Sequence, residues 1–244
     1  MHPLLLFPPT SDPAHPPLGI AVLAGYAQQQ NKQISLMDLN ILSYYYFLSR
    51  PHLHVCRERI TNRLKKLEKK QSLSKEEARE YQLTAQSSLS GIYLMEHMDR
   101  AIADLKKMET YENLAAYKNA ASLVKRGMEV VSNAYYPVRW YSRGFTMSYL
   151  ATKSHDIVKA MEDEKQNLFI PFYRQVLAGI PPDKSAHNTV KKSVNNSANN
   201  TTVNLIHTLT PSISSVPDIF GISINYYCQL IPGLTLAKEI KKRF

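Results

Sequence analysis

The sequence predicts an α/β fold: a partial parallel sheet of strand order 2-1-3 with a large all-helical insertion after the second strand. Three observations carry this. The apolar run Leu4–Phe7 and a second strand, Gln33–Met37, flank one helical segment, Leu18–Gln30, which makes a first right-handed crossover. A further apolar run, Ile219–Ile224, resumes about 180 residues later, far beyond an ordinary connection. The residues between carry helical periodicity with few strand signals.

The first strand is short, apolar and bounded by prolines. The loop after it, "PPTSDPAHPP", is rich in proline and therefore stiff. Helix Leu18–Gln30 places Ile20, Leu23, Ala24 and Ala27 on one face. The second strand ends in Asp38-Leu39-Asn40. In the insertion, Ser74-Lys-Glu-Glu77 reads as a capping box that opens a helix. Residues 90–108 set Ile92, Met95, His97, Met98, Ile102 and Leu105 near one side. Residues 111–131 do the same with Leu114, Tyr117, Ala121, Val124 and Met128. These stripes read most simply as core. Residues 155–177 are a further helix, kinked or ended near Pro171. "NYYCQLIPG" is a turn after the third strand, and an amphipathic helix starts at Leu234. The expected domains are residues 1–40 with 217–244, an inserted helical subdomain at 41–182, and a polar flexible linker at 183–216 around "NNSANNTT".

Composition narrows the function. The formal charge of +10 is concentrated in "RERITNRLKKLEKK" and "KEIKKRF". Such runs are ordinarily solvated helix faces. No aromatic residue interleaves with residues 57–70, so a base-stacking platform is unsupported there and nucleic acid is not the expected partner. The two cysteines, Cys56 and Cys228, give no disulfide framework, zinc site or iron–sulfur cluster. "MHPLLLFPP" lacks the basic start and long apolar run of a signal peptide, and no stretch approaches a membrane span. A cytoplasmic location and no membrane partner are expected.

In a 2-1-3 sheet the switch point lies between strands one and three, and ligands sit at the carboxyl ends there. Residues 8–17 would form one wall of that crevice and residues 225–233 the other. Gly19 and Gly25 do not make G-x-G-x-x-G, and G-x-x-x-x-G-K-[ST] is absent. No acidic pair follows the first strand, which removes a phosphoacceptor receiver.

The blocks "FPP", "PPLGIAVLAGYAQQQ" and "ISLMDLN", followed at the other end by "PDIFGISINYYCQLIPGLTLAKEIKK", resemble the Rossmann-like cobalamin-binding domain that precedes radical S-adenosylmethionine barrels. The long helical insertion is similar to that of the peptide-modifying variants. The resemblance covers about 70 of 244 residues. It implies that Pro9, Thr10, Leu18 and Gly19 line the corrin after strand one. Asp38, Leu39 and Asn40 would do so after strand two, and Ser223, Ile224, Asn225, Tyr226 and Gln229 after strand three. Structural roles stand beside these. Asp38 can cap a helix, Ser223 and Asn225 can satisfy strand-end backbone, and Tyr226 can be core.

The chain departs from the wider cobalamin family's D-x-H-x-x-G motif, having Asp12-Pro-Ala-His15-Pro instead. His15 is then a plain loop residue, and cobalamin would bind base-off without a protein histidine. The chain stops at Phe244, before the fourth and fifth strands of the family domain and before any C-x-x-x-C-x-x-C cluster. No catalytic residue, metal ligand or iron–sulfur cluster is therefore expected on this chain. Cobalamin is its expected cofactor, and a separate radical S-adenosylmethionine chain or a peptide substrate is its expected partner. The alternative is a basic helical module that binds an acidic protein or peptide.

Overall fold

The computed structural model describes residues 2–181, 213 and 216–244. The chain is mixed α/β and mostly helical. It divides into two compact units. The first comprises Met1–Tyr45, Ser142–Phe145 and Tyr149–Phe244; the second comprises Tyr46–Tyr141 and Thr146–Ser148.

The first unit is built on a parallel sheet of β1 (Pro3–Phe7), β2 (Ser35–Asp38) and β5 (Ile219–Ile222), in the order β2-β1-β5. Apolar runs become parallel strands when both faces are covered. Accordingly Leu4, Leu6 and Phe7 are at most 2% exposed. Leu6 pairs with Met37 on one side and Ile222 on the other. α1 (Leu18–Gln29) connects β1 to β2, and its buried residues are Ile20 and Ala27. Leu23, expected on that face, is exposed.

The third strand is shorter than expected, so Ile224 lies beyond it. Residues 225–233 are not a simple turn. A 3-10 turn, Tyr227–Gln229, leads directly into α9 (Leu230–Arg243). Pro232 stands in the first turn of α9, where a missing amide proton breaks no helical bond.

The expected helix over 155–177 is two helices, α7 (Ser154–Ala160) and α8 (Phe169–Ala178). The break falls at residues 161–168 rather than at Pro171, which again occupies a first turn. Asn167, fully buried, organises this break. Its amide donates to Ala160 O and Thr235 Oγ1, each at 2.9 Å, and its oxygen accepts from Phe169 N at 3.1 Å. Arg174 on α8 pairs with Glu239 on α9 at 2.9 Å. Burial raises the Glu239 carboxyl, but Lys242 and Arg174 outweigh it and hold the group below the usual range. These contacts explain why α7 and α8 group with the sheet rather than with residues 46–141, unlike the expected 41–182 subdomain. The expected linker at 183–216 lies outside the described residues apart from 213 and 216.

The second unit packs α3 (Arg50–Glu68), α4 (Lys75–Asp104) and α6 (Leu114–Ala134) together, with α5 (Met108–Glu112) between the last two. α2 (Leu39–Phe47) leads into it. Ser49 caps α3, and Asn113 Oδ1 accepts from Ala115 N and Ala116 N at 3.1 Å to cap α6. Ser74 and Glu77 form the expected capping box. The apolar stripes are shifted from expectation. The buried residues of α4 include Gly91, Leu94, Met98 and Ala101; those of α6 include Ala120, Gly127, Met128 and Val131. Leu114, Tyr117 and Ile92 are exposed instead. Small residues form the helix–helix contact. A Cβ at Gly127 would lie 2.5 Å from Met98 Cε and 2.8 Å from Leu48 Cδ2.

The region is not all-helical. β3 (Arg139–Tyr141) and β4 (Gly144–Thr146) form a short hairpin. Ser132 Oγ accepts from Trp140 N at 2.9 Å and draws β3 onto the end of α6.

Candidate functional site

The loops after β1, β2 and β5 meet at the carboxyl edge of the sheet, as the strand order requires. The sequence-predicted residues separate there into two groups. One group ties the loops together; the other forms an exposed rim.

Thr10 belongs to the ties. It is fully buried at φ 79°, in the left-handed region. For a β-branched residue this conformation is strained, by about 1–3 kcal/mol. Two reciprocal bonds hold it. Thr10 Oγ1 donates to Cys228 O at 2.9 Å, and Cys228 Sγ donates to Thr10 O at 3.1 Å. Gln229 is also fully buried. Its amide donates to Pro8 O at 2.7 Å, and its oxygen accepts from Asn225 N at 3.0 Å and Tyr226 N at 3.3 Å. The β1 and β5 loops are thus joined by three side chain–backbone bonds, two from the Thr10–Cys228 pair and one from Gln229 to Pro8 O, while the Gln229 oxygen braces the β5 loop on itself.

The loop after β2 is tied in the same way. Asn40 Oδ1 accepts from Ser11 N at 3.1 Å. Asp38 Oδ1 accepts from Ile41 N at 3.1 Å and so caps the first turn of α2. Burial pushes the Asp38 carboxyl up, against the lowering effect of the Ile41 and Asn40 amides. Leu39 is core and Pro9 is buried. On the other flank, Asp12 Oδ1 accepts from Ala14 N at 3.0 Å, and Arg143 Nε donates to Asp12 Oδ2 at 2.8 Å. The Ala14 amide and Arg143 hold the Asp12 carboxyl below the usual range despite partial burial.

The rim consists of Leu18, Gly19, Ser223, Ile224, Asn225 and Tyr226. Leu18 is 67% exposed, Tyr226 51% and Ile224 38%. Tyr226 is therefore not core. α1 begins at Pro17 without a side-chain cap. Gly19 stands against the β5 loop: a Cβ there would lie 3.7 Å from Ser223 Oγ and 3.9 Å from Asn225 Nδ2. Ser223 Oγ donates to Asn225 Oδ1 at 3.1 Å. The rim therefore presents apolar surface, a glycine and one hydroxyl–amide pair. It contains no ionisable carboxylate, imidazole or thiol. Among the described residues no group of three His, Cys, Asp or Glu side chains is placed to hold a metal ion.

Three participants lay outside the expected set. Cys228 makes half of the Thr10 tie. Arg143 reaches Asp12 from 131 residues away, which no spacing reveals. Gly233 lets α9 approach the rim, since a Cβ there would lie 2.6 Å from Ile224 Cδ1; the Pro-Gly pair was its only signal.

No family model, curated protein or solved structure matches this chain. Among the described residues no helix is long and apolar enough to cross a membrane.

Proposed function

We propose that the first unit is a cobalamin-binding platform, corresponding to the N-terminal part of a cobalamin-dependent radical S-adenosylmethionine enzyme. The carrying observation is the junction at the switch point, where Gly19 at the start of α1 faces Ser223 and Asn225 beyond β5. A flat macrocycle with amide arms suits such a rim. Gly19 admits close approach, Leu18, Ile224 and Tyr226 offer apolar contact, and Ser223 and Asn225 offer hydrogen bonds. Thr10, Asn40 and Gln229 serve the site from beneath by fixing the loops, and Asp38 fixes the start of α2. Bound cobalamin would supply methyl carriage or electron transfer in the complete enzyme. This chain would bind and orient it without catalysing a reaction itself. A separate radical S-adenosylmethionine chain or a peptide substrate is the partner this reading implies, in the cytoplasm.

His15 lies outside the rim, on the exposed loop before α1. Cobalamin should then bind base-off, with no protein imidazole below cobalt. The test is incubation with hydroxocobalamin, desalting and an absorption spectrum. The reading expects retained corrin bands that His15→Ala leaves unchanged. Loss of all corrin on desalting would remove the proposal, and a shift from imidazole-bound to water-bound cobalt in His15→Ala would remove its base-off part.

A further inference from the structure

The second unit carries a separate polar site that the cobalamin reading does not use. One stripe of α3 lines a surface depression with His54, Arg57, Glu58, Thr61 and Asn62. The spacing of three and four residues puts all five on one helix face. Gly91 of α4, itself buried, packs beside the Arg57 stem, where a Cβ would lie 3.7 Å from Arg57 Cδ. The missing side chain leaves room over the Arg57 stem.

The groups in this depression are unequally satisfied. His54 Nδ1 lies 3.7 Å from Glu58 Oε1, so these two face each other. Arg57 has no such partner. Its Nε is buried and without a hydrogen-bond acceptor among the described residues. No described residue bonds the Thr61 hydroxyl or the Asn62 amide either. A buried donor without an acceptor is destabilising by about 1–3 kcal/mol, more when it is charged. Such a group is normally answered by a protein acceptor or an ordered water, and one left over is open to an acceptor from outside the chain.

We propose that this depression is a docking site for a side-chain carboxylate of an acidic polypeptide segment. The Arg57 guanidinium would grip it side-on, with Thr61 and Asn62 donating beside it. A planar two-oxygen acceptor matches the arginine fork. None of the five lining residues is Phe, Tyr or Trp, and the one ring among them, His54, faces Glu58. The formal charge of +10 favours an acidic partner over long range. All five lining residues belong to the second unit, so the site uses none of the first unit's rim.

The test is titration of the isotope-labelled full chain with a hexaglutamate peptide, read by NMR. Saturable shifts of the Arg57 Nε–H and of the Thr61 and Asn62 amides are expected. Arg57→Gln should weaken binding about tenfold or more. Lys65→Gln, on the same helix and outside the depression, should change it less than about twofold. Equal losses in both variants would show a diffuse basic face and overturn the proposal. So would the absence of saturable shifts at 57–62, or tighter binding of hexathymidylate at the same residues. If Arg57→Gln loses its helical circular dichroism, Thr61→Val supplies the comparison, with a several-fold loss expected and no loss contradicting the site.

Discussion

Gln229 shows how a single residue does structural work at a place where sequence reasoning expects a ligand contact. Its three bonds, to Pro8 O, Asn225 N and Tyr226 N, lie in a fully buried setting. Gln229→Leu keeps the volume and strands all three backbone groups. A loss of about 2–4 kcal/mol is expected, measured by urea unfolding. A loss below about 0.5 kcal/mol would show that the loops hold together without it. His52 belongs to the same scale. It is buried beside Tyr46, Phe47 and Tyr135, and its Nε2 has no hydrogen-bond partner. Burial first, and the nearby Arg59 cation second, push its pKa down to about 3 from the usual 6.5. The unfolded chain therefore takes up the proton first as pH falls. Stability should drop from pH 6.5 downward, by about 1.4 kcal/mol per pH unit, until the folded state also protonates near pH 3. His52→Phe should remove that part of the slope, as urea midpoints at pH 7 and pH 5 would show. An unchanged slope would mean that other groups carry the acid sensitivity.

The central strand β1 was legible because a parallel strand covered on both faces reads as a continuous apolar run; β2 and β5, at the edges, are less buried and were legible from their short apolar cores between loop signals. The capping box at Ser74 was legible because its chemistry is local. The faces of α4 and α6 were misplaced for a physical reason. Small residues are among those they bury, Gly91 and Ala101 on α4 and Ala120 and Gly127 on α6, and Gly127 stands against Met98, whereas periodicity counts weight large side chains. Proline is a local signal and points to a break at Pro171. The break at 161–168 is instead held by Asn167 within it, whose partner Thr235 is 68 residues away. That arrangement is testable at the same scale. Asn167→Leu leaves Ala160 O and Phe169 N without their buried partner and should destabilise the chain by about 2–4 kcal/mol. Calorimetry or urea unfolding would read this, and a change under about 0.5 kcal/mol would contradict the role given to Asn167.

For the whole molecule, the site was half legible. The strand order predicted which loops would meet. It did not predict that Thr10, Asn40 and Gln229 would turn inward, because their partners lie up to 221 residues away in sequence. Thr10, Asn40 and Gln229 are ties, and Gly19, Ser223 and Asn225 are rim. Binding should depend directly on Gly19, Ser223 and Asn225, and on Thr10 or Gln229 only through the fold. The most direct measurement is hydroxocobalamin affinity by calorimetry for the unaltered chain and for Gly19→Gln, whose new side chain would project toward Ser223 and Asn225. Saturable binding is expected, weakened about tenfold or more by Gly19→Gln while the unfolding midpoint stays nearly unchanged. Equal affinity in the two chains, or no binding by either, would contradict it.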